Sequence, residues 1–375
     1  MNLRLTGLLA GTALALTLYS FSQVDLNLTL SAHPAYQSFQ TQLTTLGYFH
    51  RPLSTAIYLL IVLLLAIGYL LLAIAVRKRT IKKRQLWILI GLVVILLLPS
   101  YPAFSHDVFN YLFDARIATK YGLSPWHYKA LDFPADDWIR FMRWTHRPSV
   151  YPPVWIGLSL IPSFLGFGKF IVTLGLFKLL AAISYLGSSL LMVKIAEKLK
   201  KSQPLTYLAL FALNPLVIIE SLVNAHMEIV MIFFALLSFY FILRGKSALG
   251  WVSLIASVGI KFMTFYLGLL LLKGKNYLRY TVWLGTVILI AFIAWYGFQP
   301  WYLLWILPFA LLIKGWERQL YIIASTAVLF WNVPLVLLGD FDLPHWTTRL
   351  IYVVIPLGLS VVYLAAKNLT FKSKP

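Results

Sequence analysis

An all-α, polytopic transmembrane bundle is the fold this sequence predicts, and three observations predict it. Of 375 residues, 60% are hydrophobic, and the mean hydropathy is +0.81. The apolar residues gather in repeated runs of roughly the 20 residues that cross a bilayer. The charge is lopsided: 32 Lys+Arg stand against 12 Asp+Glu, a formal net charge of +20, and the basic residues form short clusters between the apolar runs. A soluble core has no use for so many long runs. In such a chain, basic clusters report orientation and contact with anionic lipid, so the charge does not call for nucleic acid. With no Cys, disulfides and thiolate metal sites are excluded.

The elements follow in order. Leu5 to Phe21 comes after Arg4 in the manner of a signal peptide. It has no small-x-small cleavage site and further apolar runs follow, so it reads as a retained first helix at about 3–21. Spans at about 53–76 and 86–102 come next, then about 170–193, 204–222 and 229–243. Four more at about 278–297, 301–313, 318–338 and 349–366 bring the expected total to about ten. Val154 to Phe167, broken by Pro162 and two glycines, is too short to cross and suits an external helix dipping into the interface. The whole chain, 1–375, reads as a single integral-membrane domain. It shows no soluble domain, no linker and no internal repeat of the kind common in secondary transporters.

Orientation follows from the basic clusters. Arg77 to Arg84 is the densest, and with Lys194 to Lys201, Arg244-Gly245-Lys246, Lys273-Gly274-Lys275, Lys314 to Arg318 and the tail from Lys367 it should be cytoplasmic. Both termini then face the cytoplasm, and the loops 22–52 and 103–150 face outward. Residues 247–272 begin and end beside basic clusters and carry Gly259-Ile260-Lys261 at their middle. Two half-helices meeting at Lys261, a re-entrant hairpin, restore the parity, since irregular backbone at depth is tolerated when buried in protein. One ordinary span is the alternative, and it would expose the basic tail outside.

The acids point to chemistry. Carboxylates are costly near lipid, yet Asp107, Asp114, Asp132, Asp136 and Asp137 all fall in the polar insert 103–150. Asp107 stands where the chain should leave the outer surface, in Ser105-His106-Asp107-Val108-Phe109-Asn110-Tyr111. A carboxylate there can act as a general base or hold a divalent cation, or it can simply cap the helix that begins at this point. Asp114 lies seven residues on, hence on the same helical face, where an ion pair is the plainer role. Asp132, Asp136 and Asp137 read as solvated loop charges. Arg140, Arg143 and Arg147, with Trp138, Trp144 and His146 among them, would hold a lipid phosphate or, equally, bulk headgroups. Glu220, His226 and Glu228 gather at a helix boundary after Asn214-Pro215. His226 and Glu228 are two apart and share a site only across a turn; a metal site or a buried hydrogen-bond network would use them, and the network suits Glu220 best. Lys178 and Lys261 lie within apolar segments and need partners. Trp301, Tyr302, Asp342, His345 and Arg349 fall on the same outer side, where Arg349 could reach a phosphate or snorkel.

Taken in order, these stretches resemble the GT-C superfamily of integral-membrane glycosyltransferases, in particular bacterial mannosyltransferases that use polyprenyl-phosphate sugars. The similarity rests on His106 to Tyr111, Gly122 to Trp126, Tyr151-Pro152-Pro153, Asn214-Pro215 through Asn224-Ala225-His226-Met227-Glu228, Lys261, and Pro300 to Trp305, over roughly residues 100–310. The resemblance implies transfer of a hexose, mannose foremost, from a polyprenyl-phosphate donor to an external lipid-linked or glycan acceptor, with inversion and with Asp107 as base. It implies catalytic roles for Glu228 and His226, phosphate binding by Arg140, Arg143, Arg147 and Arg349, and sugar contacts from His106, Tyr111, Asp114, Tyr151, Trp301, Tyr302, Asp342 and His345. Two departures stand out. The chain has Asn-Ala-His-Met-Glu where the family has Gly-His-Asn-Asp, and it lacks an Asp-x-Asp at 107. A divalent cation, Mg or Mn, therefore stays an option and not a requirement. A transporter or flippase for lipid-linked sugars is the competing class, but it should keep its ionisable residues near mid-membrane. An oligosaccharide polymerase or ligase is a second competitor.

The orientation is testable because the chain has no Cys. A single Cys placed at Lys82 should resist a membrane-impermeant thiol reagent applied from outside, and one placed at Asp132 should react. Labelling at position 82 with the bilayer intact would overturn the topology.

Overall fold

A computed structural model of the chain describes residues 3–271, 276–339, 353–354 and 357–358. It is 77% helix, with no strand among the described residues. Among the described residues, five helices are long and apolar enough to cross a membrane: Leu3–Gln23, Arg51–Arg77, Phe170–Lys198, Tyr277–Tyr296 and Trp316–Leu338. The pair Pro204–Ala212 and Pro215–Val223, bent by 54°, makes a sixth if taken as one span. The expected ten are not all matched. The third and sixth spans are helices of only 15 and 16 residues, Lys83–Leu97 and Glu228–Leu243, which at about 1.5 Å per residue fall short of a bilayer core of about 30 Å. The stretch 301–313 divides into a 3-10 turn, Pro300–Trp305, and a short helix, Leu307–Leu312. The span at 349–366 and the residues Asp342, His345 and Arg349 lie outside the described residues.

In chain order the helices up to the insert are α1 (Leu3–Ser20), α2 (Pro34–Phe49), α3 (Arg51–Arg77), α4 (Lys83–Leu97) and α5 (Asp107–Tyr121). They are followed by α6 (Pro153–Leu165), α7 (Phe170–Lys198), α8 (Pro204–Ala212), α9 (Pro215–Ile218), α10 (Glu228–Leu243) and α11 (Ser247–Ile260). Helix α1 packs on α3 and α4, α7 packs on α8 and α10, and α10 packs on α11. The outer face of α3 shows what surrounds it. Leu60, Leu63, Leu70, Leu71 and Ile74 are exposed there, while Tyr58, Ile61, Leu65, Tyr69 and Leu72 are buried on the other side. A helix apolar on both faces is solvated by lipid.

The breaks position the site. Pro215 has no N–H to donate and its ring clashes with the preceding turn, so α8 cannot continue through it. Asn214 takes over: its Oδ1 accepts from the N–H groups of Leu216 at 3.0 Å and Val217 at 3.5 Å, restarting the helix as α9. Its Nδ2 donates to Ser325 Oγ at 2.8 Å. Helix α9 then widens into a π-helical turn, Ile219–Val223. Lys178, fully buried within α7, donates to Ser100 Oγ at 2.8 Å and to the carbonyls of Leu97, Ser100 and Val223. It thereby ties the end of α4 to the end of the π turn. Helix α11 stops at Lys261, whose backbone is extended (φ −152°, ψ 126°), and a 3-10 segment, Phe262–Leu271, follows. The expected discontinuity at Lys261 is there.

The insert corrects one expectation. Asp132 and Asp137 are exposed, but Asp136 is buried. Its Oδ2 accepts from Arg116 Nε at 2.7 Å, Lys120 Nζ at 2.9 Å and the Tyr121 hydroxyl at 2.6 Å. Burial alone would raise its pKa, but these donors and the Trp138 N–H outweigh it and hold the carboxylate well below its ordinary range. A solvated charge would make none of these bonds. The network clasps the loop onto α5, which Gly122 ends in the left-handed conformation (φ 66°) that costs Gly little. Asp136→Ala strands the buried Arg116 and should cost about 3 kcal/mol or more. We expect a lower melting temperature and faster proteolysis between 122 and 150. Unchanged stability would remove Asp136 as the clasp.

Candidate active site

The site forms where the loop before α5 meets the turn before α10. His106 is the N-cap residue of α5 and makes no side-chain cap, while the Asp107 N–H donates to Ser105 Oγ at 3.3 Å. Asp107 is thus the first helical residue, and its carboxylate faces His226 instead of capping the helix. Asn224 joins the two segments. Its Oδ1 accepts from the Phe104 N–H at 3.2 Å and its Nδ2 donates to Glu220 Oε2 at 2.8 Å. Ala225 takes a left-handed φ of 53°, a strained conformation for a residue with a Cβ. The turn it makes lets the His226 N–H reach the Glu220 carbonyl at 3.0 Å and brings His226 and Glu228 into one place.

His226 is the hub. Its Nδ1 lies 3.8 Å from Asp107 Oδ2 and 3.6 Å from Glu228 Oε2, and its Nε2 lies 3.4 Å from Glu220 Oε2. Neither ring nitrogen makes a hydrogen bond within the protein, so these are close approaches across a buried space, ion pairs only when His226 is protonated. Lys261 Nζ sits 2.5 Å from Glu228 Oε1. The indole of Trp301 stacks on the imidazole, centroids 4.2 Å apart at 27°. The Lys261 ammonium lies 5.5 Å from the Tyr302 ring and 5.3 Å from Trp305, in range for cation–π attraction. Exposure separates the acids: the Asp107 side chain is 22% exposed, against 1% for Glu220 and 0% for Glu228. Burial raises the pKa of Asp107, and the charges of His226 and Lys261 only partly offset this.

Several expected residues converge here: Asp107, His226, Glu228, Trp301 and Tyr302, with Glu220 in the hydrogen-bonded role expected of it. Others are placed differently. His106 packs on Phe109, centroids 5.8 Å apart, and burial, with Arg143 nearby, lowers its pKa to about 4. Tyr111 is buried, edge-on to Tyr151 and Trp155 at 5.1 Å each, and its hydroxyl bonds the Met227 backbone; it braces the site. The arginines do not converge on one point. Arg140 is exposed and stays beside Asp137, 4.0 Å away; Arg143 is exposed; Arg147 lies over Trp144 at 4.7 Å and borders a cleft with Asp114, Ser149 and Tyr151. Asp114 forms none of the ion pairs found among the described residues; Ser149 hydrogen-bonds it, and burial raises its pKa to about 7. Asn224 and Asn110 were not singled out by sequence. The i, i+4 spacing of Glu220 and Asn224 was the available signal.

The acids do not suit a divalent ion as arranged. Lys261 already occupies Glu228, Asn224 occupies Glu220, and among the described residues no group of three or more His, Asp and Glu has the arrangement to hold a metal.

A family profile described as alpha-(1->6)-mannopyranosyltransferase, N-terminal domain (MptA_B family) matches residues 4–272. The chain belongs to this family and is a membrane-embedded glycosyltransferase that transfers mannosyl groups. No curated protein and no solved structure matches it. The transporter alternative gives way to the enzyme.

The Glu228–Lys261 pair gives a thermodynamic test. Lys261→Met leaves Glu228 buried without its cation, and Glu228→Gln leaves Lys261 without its anion; each should destabilise the protein and lower activity. The double variant should be less destabilised than the sum of the singles by about 1–3 kcal/mol, as expected for contacting partners. Strict additivity of melting shifts would dissolve the pair.

Proposed function

We propose that the chain transfers mannose from a polyprenyl-phosphate donor to a hydroxyl of an external lipid-linked or glycan acceptor, inverting the anomeric centre, with Asp107 as the general base. The observation that carries this is the exposure difference within the cluster. Three carboxylates surround His226, and only that of Asp107 is open enough to meet a substrate hydroxyl. In a mannosyltransferase, an accessible carboxylate backed by buried charge is the group suited to accept a proton.

The step balances simply. The acceptor oxygen forms a bond to the anomeric carbon as the bond from that carbon to the phosphate oxygen breaks. The acceptor proton passes to Asp107, and polyprenyl phosphate leaves with the electron pair. Glu228 and His226 act through Asp107 by setting the charge around it, and Lys261 holds Glu228. The phosphate needs cations; Arg143, Arg147 and Arg349 are the candidates for it. Donor energy carried by a lipid fits an outward-facing site, with residues 77–84 and both termini cytoplasmic.

Asp107→Asn keeps the size and most of the hydrogen bonding but cannot accept the proton. Turnover from a polyprenyl-phosphate mannose, read as released polyprenyl phosphate, should fall by about a hundredfold or more with the melting temperature unchanged. Asp132→Asn, on the exposed loop, is the control. Because the base must be ionised and burial raises its pKa, activity should be lost as pH falls, with an acid limb above the ordinary Asp value of about 3.9. Near-normal turnover by Asp107→Asn would send the base elsewhere.

A further inference from the structure

The segment that delivers Asp107 has no regular structure of its own. Residues 98–106 lie between α4 and α5 without forming a helix, yet Ser100 to Ser105 are buried. Pro99 and Pro102 carry no N–H, and the backbone groups buried here must find partners elsewhere. Three side chains supply them. Ser20 Oγ accepts from the Tyr101 N–H at 2.9 Å, and Asn224 Oδ1 accepts from the Phe104 N–H at 3.2 Å. Lys178 donates to the Ser100 carbonyl and, at 2.8 Å, to Ser100 Oγ. The Ser100 hydroxyl gives its own hydrogen to the Leu97 carbonyl at 2.6 Å, so the bond to Lys178 needs the lysine as donor. Lys178 also reaches the Val223 carbonyl, 3.4 Å away, at the residue just before Asn224 and close upstream of His226.

We infer that Lys178 is a positioning residue for the transfer reaction, holding the Asp107 segment in place against the His226 turn. The ties form successive rungs between the same two stretches. Lys178 joins Ser100 to Val223, Asn224 bonds Phe104, and Asp107 faces His226 at 3.8 Å. The last rung does not hold itself, because neither His226 ring nitrogen makes a hydrogen bond within the protein. Its spacing is imposed by the rungs before it. Charge pairing does not explain the lysine: none of the ion pairs among the described residues includes Lys178. Helix packing does not explain it either. Helix α7 packs most on α10 and α8, where an apolar side chain would serve at lower cost in a bilayer. Lys178 bonds to neither of these helices and reaches instead for the end of α4 and the end of the π turn. A base misplaced by about 1 Å can cost about a hundredfold in rate, so a tie at this place acts on turnover and not on substrate binding.

This role rests on the reading of Asp107 as base, and one arm of the experiment stands apart from that reading. Lys178→Met keeps the length and suits lipid, and exchanging a buried charged residue for an apolar one of similar volume is often neutral for stability. In the full chain, kcat should fall about tenfold or more. KM for polyprenyl-phosphate mannose and for the acceptor should hold, and the melting temperature should not fall. Ser100→Ala, which removes one acceptor of the tie and spares the fold, should lower kcat in the same way by about two- to tenfold. Added to Asp107→Asn, Lys178→Met should cause no further loss, because both act through one group. The independent arm uses Asp107→Cys, which gives a single thiol because the chain has no Cys. Lys178→Met should speed the reaction of that thiol with a small thiol reagent about tenfold, the factor that one lost hydrogen bond is worth. Wild-type kcat in Lys178→Met together with an unchanged labelling rate at position 107 would overturn the role. So would a drop in kcat that comes with a lower melting temperature and adds in full to that of Asp107→Asn. If Asp107→Asn keeps near-normal turnover, the base reading fails by itself, and the labelling rate then decides whether Lys178 positions the segment.

Discussion

Burying three carboxylates around one histidine is the constraint on which the rest of this structure depends. Two unit charges about 4 Å apart interact by about 4 kcal/mol even at an effective dielectric of 20. Asp107, Glu220 and Glu228 could not share a space beside His226 without compensation. Each acid meets it differently. Glu228 takes the ammonium of Lys261. Glu220 takes the amide of Asn224. Asp107 takes neither, and is the one left partly exposed. The three acids are told apart by which partners the buried two have and which one Asp107 lacks.

Those partners come from places where helices fail. Lys261 reaches Glu228 from the extended residue at which α11 stops. Asn224 follows a π turn, a local widening found often at functional sites. His226 and Glu228 are brought together by the left-handed backbone of Ala225. Each break frees backbone groups that lipid could not satisfy. The protein answers locally: Asn214 accepts from the N–H groups freed near Pro215, and Lys178 donates to carbonyls at the ends of α4 and the π turn. Lys178 finds its partners among carbonyls and hydroxyls, which removes the need for a counter-charge in the middle of α7.

Much of this was legible in the sequence. Apolar runs announced helices, Asn214-Pro215 announced a break, and the confinement of acids to a few places marked the candidate site. The role of Asp107 was open between helix cap and base; the cap reading recedes, because His106 holds the cap position and the carboxylate turns to His226. What the sequence could not convey was pairing across distance. Nothing in residues 130–140 says that Asp136 will meet Arg116, Lys120 and Tyr121 on α5 while its neighbour Asp137 stays in solvent. Nor does spacing say that Arg140, Arg143 and Arg147 will point to three different surroundings instead of one phosphate. The span count is matched only in part for a related reason. Hydropathy records how apolar a run is, but where the helix stops depends on prolines and buried polar groups at its ends, and those shorten α4 and α10 below bilayer thickness.

Trp301 completes the logic of the cluster. Its ring lies flat on the imidazole of His226, and the Tyr302 and Trp305 rings lie near Lys261. These aromatic faces come from the short Pro300–Trp305 turn, remote in sequence from α5 and α10. They cover the buried side of the charges without donating or accepting strongly, so water is excluded from that side while the Asp107 side remains open. An asymmetric cover of this kind gives a carboxylate a direction. With Asp107 as the proposed base, the proton would reach it from its exposed side, and the buried Lys261 and the aromatic rings would keep the remaining charges fixed as that proton arrives.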